Sequence, residues 1–310
     1  MQTGGVDFLF RSEPARTARR VVALDAYFRR AVLDRDTFRC RHAADCRGSH
    51  PGRFLEGQLH HVGPHYDLTV NGVPRRIVVV GQEYGHGREH VSLRERSDMI
   101  CGFAHRHRFK KKDGFPARNP HMRGTTSLLR LLFGRGLRTD YAGEFIDLAG
   151  ESVHIFEAFA LLNFLLCSAV TKPGSAGFRG GQPGCSTRVM RTNCAEHVRK
   201  ALEILEPTVV VAQGRAVRRW LDMVWDAVEP AHRTLPLERV RLGDRSMLLA
   251  SFAHPSAPTR DNWGANASQP YLRKTVAPTV AALRAAAGLA PSGRRHKNPP
   301  LRSTASPSKM

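Results

Sequence analysis

Three short polar clusters stand where apolar runs end. They are Gly81-Gln82-Glu83-Tyr84-Gly85-His86, Asn163 with Cys167 four residues on, and His254-Pro255-Ser256. Together they offer a carboxylate, a carboxamide and an imidazole. Such groups suit proton handling and the hydrogen bonding of a polar ligand when a fold brings them together. Six cysteines form a second set: Cys40, Cys46, Cys101, Cys167, Cys185 and Cys194. The N-terminus lacks a secretory apolar segment and the chain has no run of eighteen apolar residues, which points to a soluble, cytoplasmic protein. In that reducing setting the cysteines suit metal or cluster ligation better than a disulfide framework.

These clusters need a scaffold. Four apolar runs read as buried parallel strands: residues 76–81 (RIVVVG), 154–166, 208–213 (TVVVAQ) and 247–252 (MLLASF). Helical patterns over 125–133, 191–205, 215–228 and 269–287 alternate with them, so the expected fold is α/β, a doubly wound sheet with helices on both faces. Ligands in such sheets bind beyond the carboxyl ends of the strands, where all three polar clusters fall. Residues 15–35 carry Val21, Leu24, Phe28 and Val32 at helical spacing. The stretch from CRHAADC to Tyr66 has no clear period, and a bound metal is one way to order it. One domain over 15–287 is expected, with a flexible segment 1–14 before it and a basic, disordered tail over 288–310.

Lys and Arg number 48 against 27 Asp and Glu in 310 residues, a formal charge of +21. That balance favours a polyanionic partner, nucleic acid first, with a merely basic surface as the alternative. The stretch 102–124 (GFAHRHRFKKKDGFPARNPHMRG) interleaves seven Lys or Arg with Phe103, Phe109 and Phe115. It reads either as a surface that holds phosphates and stacks bases or as a solvated insertion.

In this order, the Gly-rich turn after the first strand, the Asn four residues before a cysteine, Cys194 opening CAEH with LEPTVVVAQGRAV behind it, and His-Pro-Ser resemble the uracil-DNA glycosylase superfamily. The likeness is to its branch with a four-iron, four-sulfur cluster and covers residues 40–287. It implies a three-layer α/β/α sandwich around a central four-stranded parallel sheet. It also implies a monomer that flips uracil or a related deaminated base out of DNA and hydrolyses its N-glycosidic bond. Asn163 would hydrogen-bond the edge of the base and His254 would donate to its oxygen. Glu83 stands where the best-known branch has the Asp of Gly-Gln-Asp-Pro-Tyr-His, and would position water. The sequence departs there, with Tyr84-Gly85 in place of Pro-Tyr. Gln82 and Gly85 would approach the base closely, with Ser256 beside it.

The segment NPHMRGTTSLL resembles the family segment whose aromatic residue stacks on the base, with His121 at that place. Trp263 reads first as a packing residue and second as a wedge for the gap left by the base, and Arg260 as a phosphate contact. The implied cluster ligands are Cys40, Cys46, Cys167 and Cys194, with zinc as the alternative metal and His42 or Cys185 as substitute ligands. Five residues separate the first pair where the branch has two. Cys101 reads as an ordinary buried thiol. Two rival readings stand beside the enzyme: a protein of this fold that captures uracil-DNA without turnover, and a zinc-stabilised nucleic-acid-binding module.

Overall fold

The computed structural model describes residues 9–34, 37–50, 52–57, 59–83, 91–170, 186–258 and 260–288. The chain is a mixed α/β protein built on a seven-stranded sheet. Its strands, numbered in chain order, are β1 His61–Val62, β2 Ile77–Gly81, β3 Ala160–Asn163, β4 Val209–Gln213, β5 Ala227–Pro230, β6 Leu237–Leu242 and β7 Arg245–Phe252. They lie side by side as β5-β6-β7-β4-β2-β3-β1. The four middle strands run parallel, with Val80 opposite Leu162 and Ala212, and Gln213 opposite Phe252.

The helices are α1 Pro14–Ala31, α2 Ala43–Gly48, α3 Leu93–Arg106, α4 Pro120–Leu132, α5 Arg188–Leu205, α6 Arg215–Trp220 and α7 Ala277–Ala286. The sheet separates two apolar cores. Val78, Val80, Leu162, Val210 and Ala212 face one side, with Leu24 and Phe28 of α1 and Val198 and Leu202 of α5. Ile77, Val79, Leu161, Val209 and Val211 face the other, with Leu128 and Leu129 of α4 and Val280 and Leu283 of α7. A strand buried on both faces must be apolar at every position, which is why RIVVVG and TVVVAQ lack alternation.

The observed sheet corrects the expected one in three places. It has seven strands, because an antiparallel β1 extends one edge and the β5–β6 pair the other. These additions escape sequence reading: β1 is two residues long, and β6 (LERVRL), one strand in from the edge, has its apolar residues interrupted by charged ones. The apolar run 154–166 is not one strand. Its start ends a hairpin, Phe145–Leu148 with Glu151–His154, then turns through a 3-10 segment, Ile155–Glu157, before β3. The helix read over 215–228 stops at Trp220, passes through a 3-10 turn, and gives way to β5.

A three-stranded antiparallel sheet of Phe10–Ser12, Leu68–Val70 and Val73–Pro74 lies apart. The basic stretch 102–124 divides into the end of α3, a closed loop and the first turn of α4. Helix α3 itself is a capping-box helix, with Ser92 accepting from the Glu95 amide and Glu95 from that of Ser92. Among the described residues no helix is long and apolar enough to cross a membrane.

Candidate active site and thiol cluster

The parallel strands all end at one edge, and three of the predicted site residues lie there. Gly81 pairs with Asn163 across β2 and β3. Beyond them the amides of Phe164 and Leu165 donate to the carbonyls of Gly81 and Gln82 at 2.9 Å each, so the two strand-end loops are tied together. Gln82 Nε2 donates to Glu83 Oε1 at 2.9 Å, turning one carboxylate oxygen toward its neighbour. Asn163 is 4% exposed, and its backbone N–H donates to His60 Nδ1 at 3.3 Å. Gly85 lies outside the described residues, as do Tyr84 and His86.

His254 follows β7 and reaches the same edge. The Ser256 N–H donates to its Nδ1 at 3.2 Å. In the neutral ring the proton therefore sits on Nε2, and that nitrogen is the donor the site can use. Burial lowers the His254 pKa, so the ring stays neutral at physiological pH. His121 lies against it, ring centroids 5.1 Å apart and planes within 12°. Burial, then the His254 charge, push the His121 pKa down to about 3, while a hydrogen bond with Gln213 opposes them. Two stacked imidazolium ions would repel, which is a second reason both rings are neutral.

Two glycines make this stacking possible. The N-cap Asn119 accepts from Met122 N–H and Pro120 follows it, so α4 starts sharply at the site. A Cβ on Gly124 would lie 2.5 Å from Pro255 Cβ, and one on Gly264 1.8 Å from the Pro120 carbonyl oxygen. Only residues without a Cβ let the first turn of α4 settle onto the His-Pro-Ser loop. Trp263 is fully buried and donates from Nε1 to the Ala253 carbonyl at 2.7 Å, with its ring edge-on to Phe252. It is a packing residue and braces this loop; the wedge alternative does not fit its burial. Arg260 is exposed.

Sequence reasoning missed Gln213, His60 and Thr125. Gln213 ends β4, is fully buried, and exchanges hydrogen bonds with Thr125 Oγ1 at 3.2 and 3.3 Å. A polar residue closing an otherwise apolar strand before Gly214 was the available signal. His60 is fully buried, with a pKa lowered to about 3 by burial, then by His197 and Arg96. It sits beside His61 in an aperiodic stretch that offered no signal for burial.

The four cysteines of the expected ligand set come from three stretches of the chain onto one side of the apolar core. Cys40 precedes α2, Cys46 lies in α2, Cys167 follows β3 and Cys194 lies in α5. Cys46, Cys167 and Cys194 are buried and Cys40 is half-buried. Burial raises all four thiol pKa values, Cys194 to about 12, and charge on the neighbouring sulfurs raises those of Cys40, Cys167 and Cys194 further. Each sulfur also receives an N–H: from the backbone of His42 to Cys40, Gly57 to Cys167 and Leu166 to Cys194, and from Asn193 Nδ2 to Cys46 at 3.4 Å. Backbone N–H groups aimed at sulfur favour thiolates, while burial without a counter-charge opposes them.

That combination fits a positively charged, thiolate-ligated centre in its donor set. Among the described residues, however, no group of three or more His, Cys, Asp or Glu side chains is arranged to hold a metal ion. Cys101 lies elsewhere, on α3. Burial, then Glu157 and Asp98, push its pKa to about 12. Cys185 lies outside the described residues. His42 faces Glu196, Nε2 to Oε1 at 3.3 Å.

No family model matches this chain, and no curated protein matches its sequence.

Proposed function

We propose that the protein is a DNA base-excision enzyme of the uracil-DNA glycosylase kind, with that superfamily's α/β/α sandwich. It takes an extruded uracil, or a related deaminated base, at the strand-end edge and hydrolyses its N-glycosidic bond. The observation that carries this reading is the fixed tautomer of His254: Nδ1 is occupied by the Ser256 amide and burial keeps the ring neutral, leaving Nε2–H as the donor. As the bond from sugar C1′ to the base breaks, its electron pair moves into the base and negative charge grows on the base oxygen. A neutral donor held rigidly at that oxygen stabilises the charge most where it is largest, in the transition state.

The other residues divide the remaining work. The Asn163 carboxamide offers both a donor and an acceptor to the edge of the base. Glu83 offsets the positive charge on the sugar and orients the water that attacks C1′, with Gln82 holding one of its oxygens. The water oxygen bonds to C1′, the bond to the base breaks, and the water proton passes to the carboxylate and then to the departing base. His121, stacked on His254, stands beside the base as its flat neighbour. Ser256 acts through its backbone, by orienting His254.

Cys40, Cys46, Cys167 and Cys194 would hold the four-iron, four-sulfur cluster, zinc being the alternative. When bound, the centre would supply a covalent cross-link among three stretches of the chain and positive charge for the four thiolates. The partner is DNA.

The test is alkali cleavage of a labelled uracil-containing oligonucleotide, single- and double-stranded. Abasic sites formed by the wild-type protein and lost in Glu83→Ala, Asn163→Ala and His254→Ala are expected. Intact DNA binding without cleavage by the wild type overturns turnover and leaves uracil capture or binding alone.

A further inference from the structure

The basic loop between α3 and α4 is closed by its own backbone and by buried side chains. Lys112 and Phe115 exchange backbone hydrogen bonds of 3.2 and 2.9 Å around Asp113 and Gly114, whose φ values of 50° and 80° are those of a tight mirror-image turn. Below the tip, Arg108 N–H donates to the Pro116 carbonyl at 2.9 Å and Arg118 N–H to the Arg108 carbonyl at 2.8 Å. Phe109 is 1% exposed and anchors the loop in the body.

The Arg108 guanidinium lies between two rings, 3.7 Å from the centroid of Phe115 and 3.6 Å from that of Tyr141. It also donates to the carbonyls of His105 and His107. Arg118, buried, makes a 2.7 Å ion pair with Glu144. A charge run that merely solvates a surface has no need of such bracing. What the bracing presents outward is Arg106, Lys110, Lys111 and Lys112, all exposed, with Phe115 at 36% exposure. The one acid on the loop is Asp113, 3.9 Å from Lys112. The loop ends at Asn119, two residues before His121 and the stacked pair at the site.

We propose that this loop is a phosphate-gripping finger that holds the DNA backbone beside the strand-end site, with Lys110, Lys111 and Lys112 as its contacts. The inference deepens the DNA reading above and rests on it for the choice of polyanion. Fixed cations around a tight turn match regularly spaced phosphates. An anionic lipid surface would call for a broad apolar face, and a single exposed ring does not supply one.

The experiment measures binding of full-length protein to an undamaged 20-base-pair duplex over a range of salt, so it does not depend on base excision. Lys110→Ala/Lys111→Ala/Lys112→Ala removes three exposed charges without touching the braced base of the loop. If all three meet phosphates, the slope of log K against log salt becomes shallower by about 3. Arg233→Ala/Arg239→Ala/Arg241→Ala, three exposed charges on and just before β6, is expected to leave it within 1 unit. An unchanged slope in the lysine variant overturns the finger, as does an equal change in both variants. Loss confined to anionic phospholipid vesicles, with DNA binding intact, overturns it in favour of a membrane. Abasic-site formation, read separately, tests the enzyme itself.

Discussion

Replacing Gly124 with alanine sets two effects against each other. Alanine is preferred over glycine inside a helix by about 1 kcal/mol, so propensity alone predicts a stabler α4. The packing predicts the reverse. The new Cβ would lie 2.5 Å from Pro255 Cβ, 2.9 Å from its Cγ and 3.2 Å from Trp263 Cζ3. Carbon atoms sit comfortably at about 3.5–4.0 Å, so roughly an ångström must be relieved. The proline ring is stiff, and the indole is fully buried and tethered to the Ala253 carbonyl.

Overpacking of this kind costs about 1–3 kcal/mol, and a contact this close belongs at the upper end or beyond. After the propensity gain, Gly124→Ala should be less stable by about 2 kcal/mol. In urea unfolding followed by tryptophan fluorescence this is a fall in midpoint of about 0.5–1 M at unchanged slope. Because the strain falls between His121 and His254, abasic-site formation should drop even where the protein remains folded. A midpoint equal to or above wild type would refute the close approach of α4 to the His-Pro-Ser loop.

Other perturbations read other parts of the molecule. Arg118→Met should destabilise by about 3–5 kcal/mol in the same urea assay, because Glu144, 1% exposed, loses its guanidinium and, among the described residues, keeps His154 Nε2 at 3.0 Å as its ion-pair partner. His60 and His61 are fully buried, with pKa values lowered to about 3 chiefly by burial. The unfolded chain therefore binds more protons, so stability is whole above about pH 6.5 and falls toward pH 3, by up to about 1.4 kcal/mol per pH unit for each ring. Urea midpoints from pH 7 to 4 check this, and His61→Phe should flatten the slope by about one proton. Purified protein should absorb near ~400 nm, and Cys167→Ser or Cys194→Ser should abolish the band while Cys101→Ser leaves it. Retention of the band in both of the first two variants would remove them from the ligand set.

Legibility tracked burial. Three of the four parallel strands, β2, β4 and β7, could be read because a strand covered on both faces carries an unbroken apolar run, and each ended where its run ended. The two-residue β1 and the charge-interrupted β6 carry weak patterns and acquire strand geometry from the neighbours that complete their ladders. The run 154–166 failed for a related reason. Buried apolar residues there serve a hairpin end, a 3-10 turn and a strand in succession, and hydrophobicity alone does not tell these apart.

By itself the sequence determined that a buried parallel sheet would form and that Gln82, Glu83, Asn163 and His254 would fall at strand ends, since apolar periodicity and its interruption are local properties. Only the tertiary structure decided that His121 would lie on His254, that the Ser256 amide would select the His254 tautomer, and that Gln213 and His60 would stand behind the site. It likewise decided that a run of lysines would be a braced loop rather than a loose one. Contacts between residues dozens to a hundred or more positions apart depend on the absence of a Cβ at Gly124 and Gly264 and on which faces the helices bury, and no local pattern records those distances.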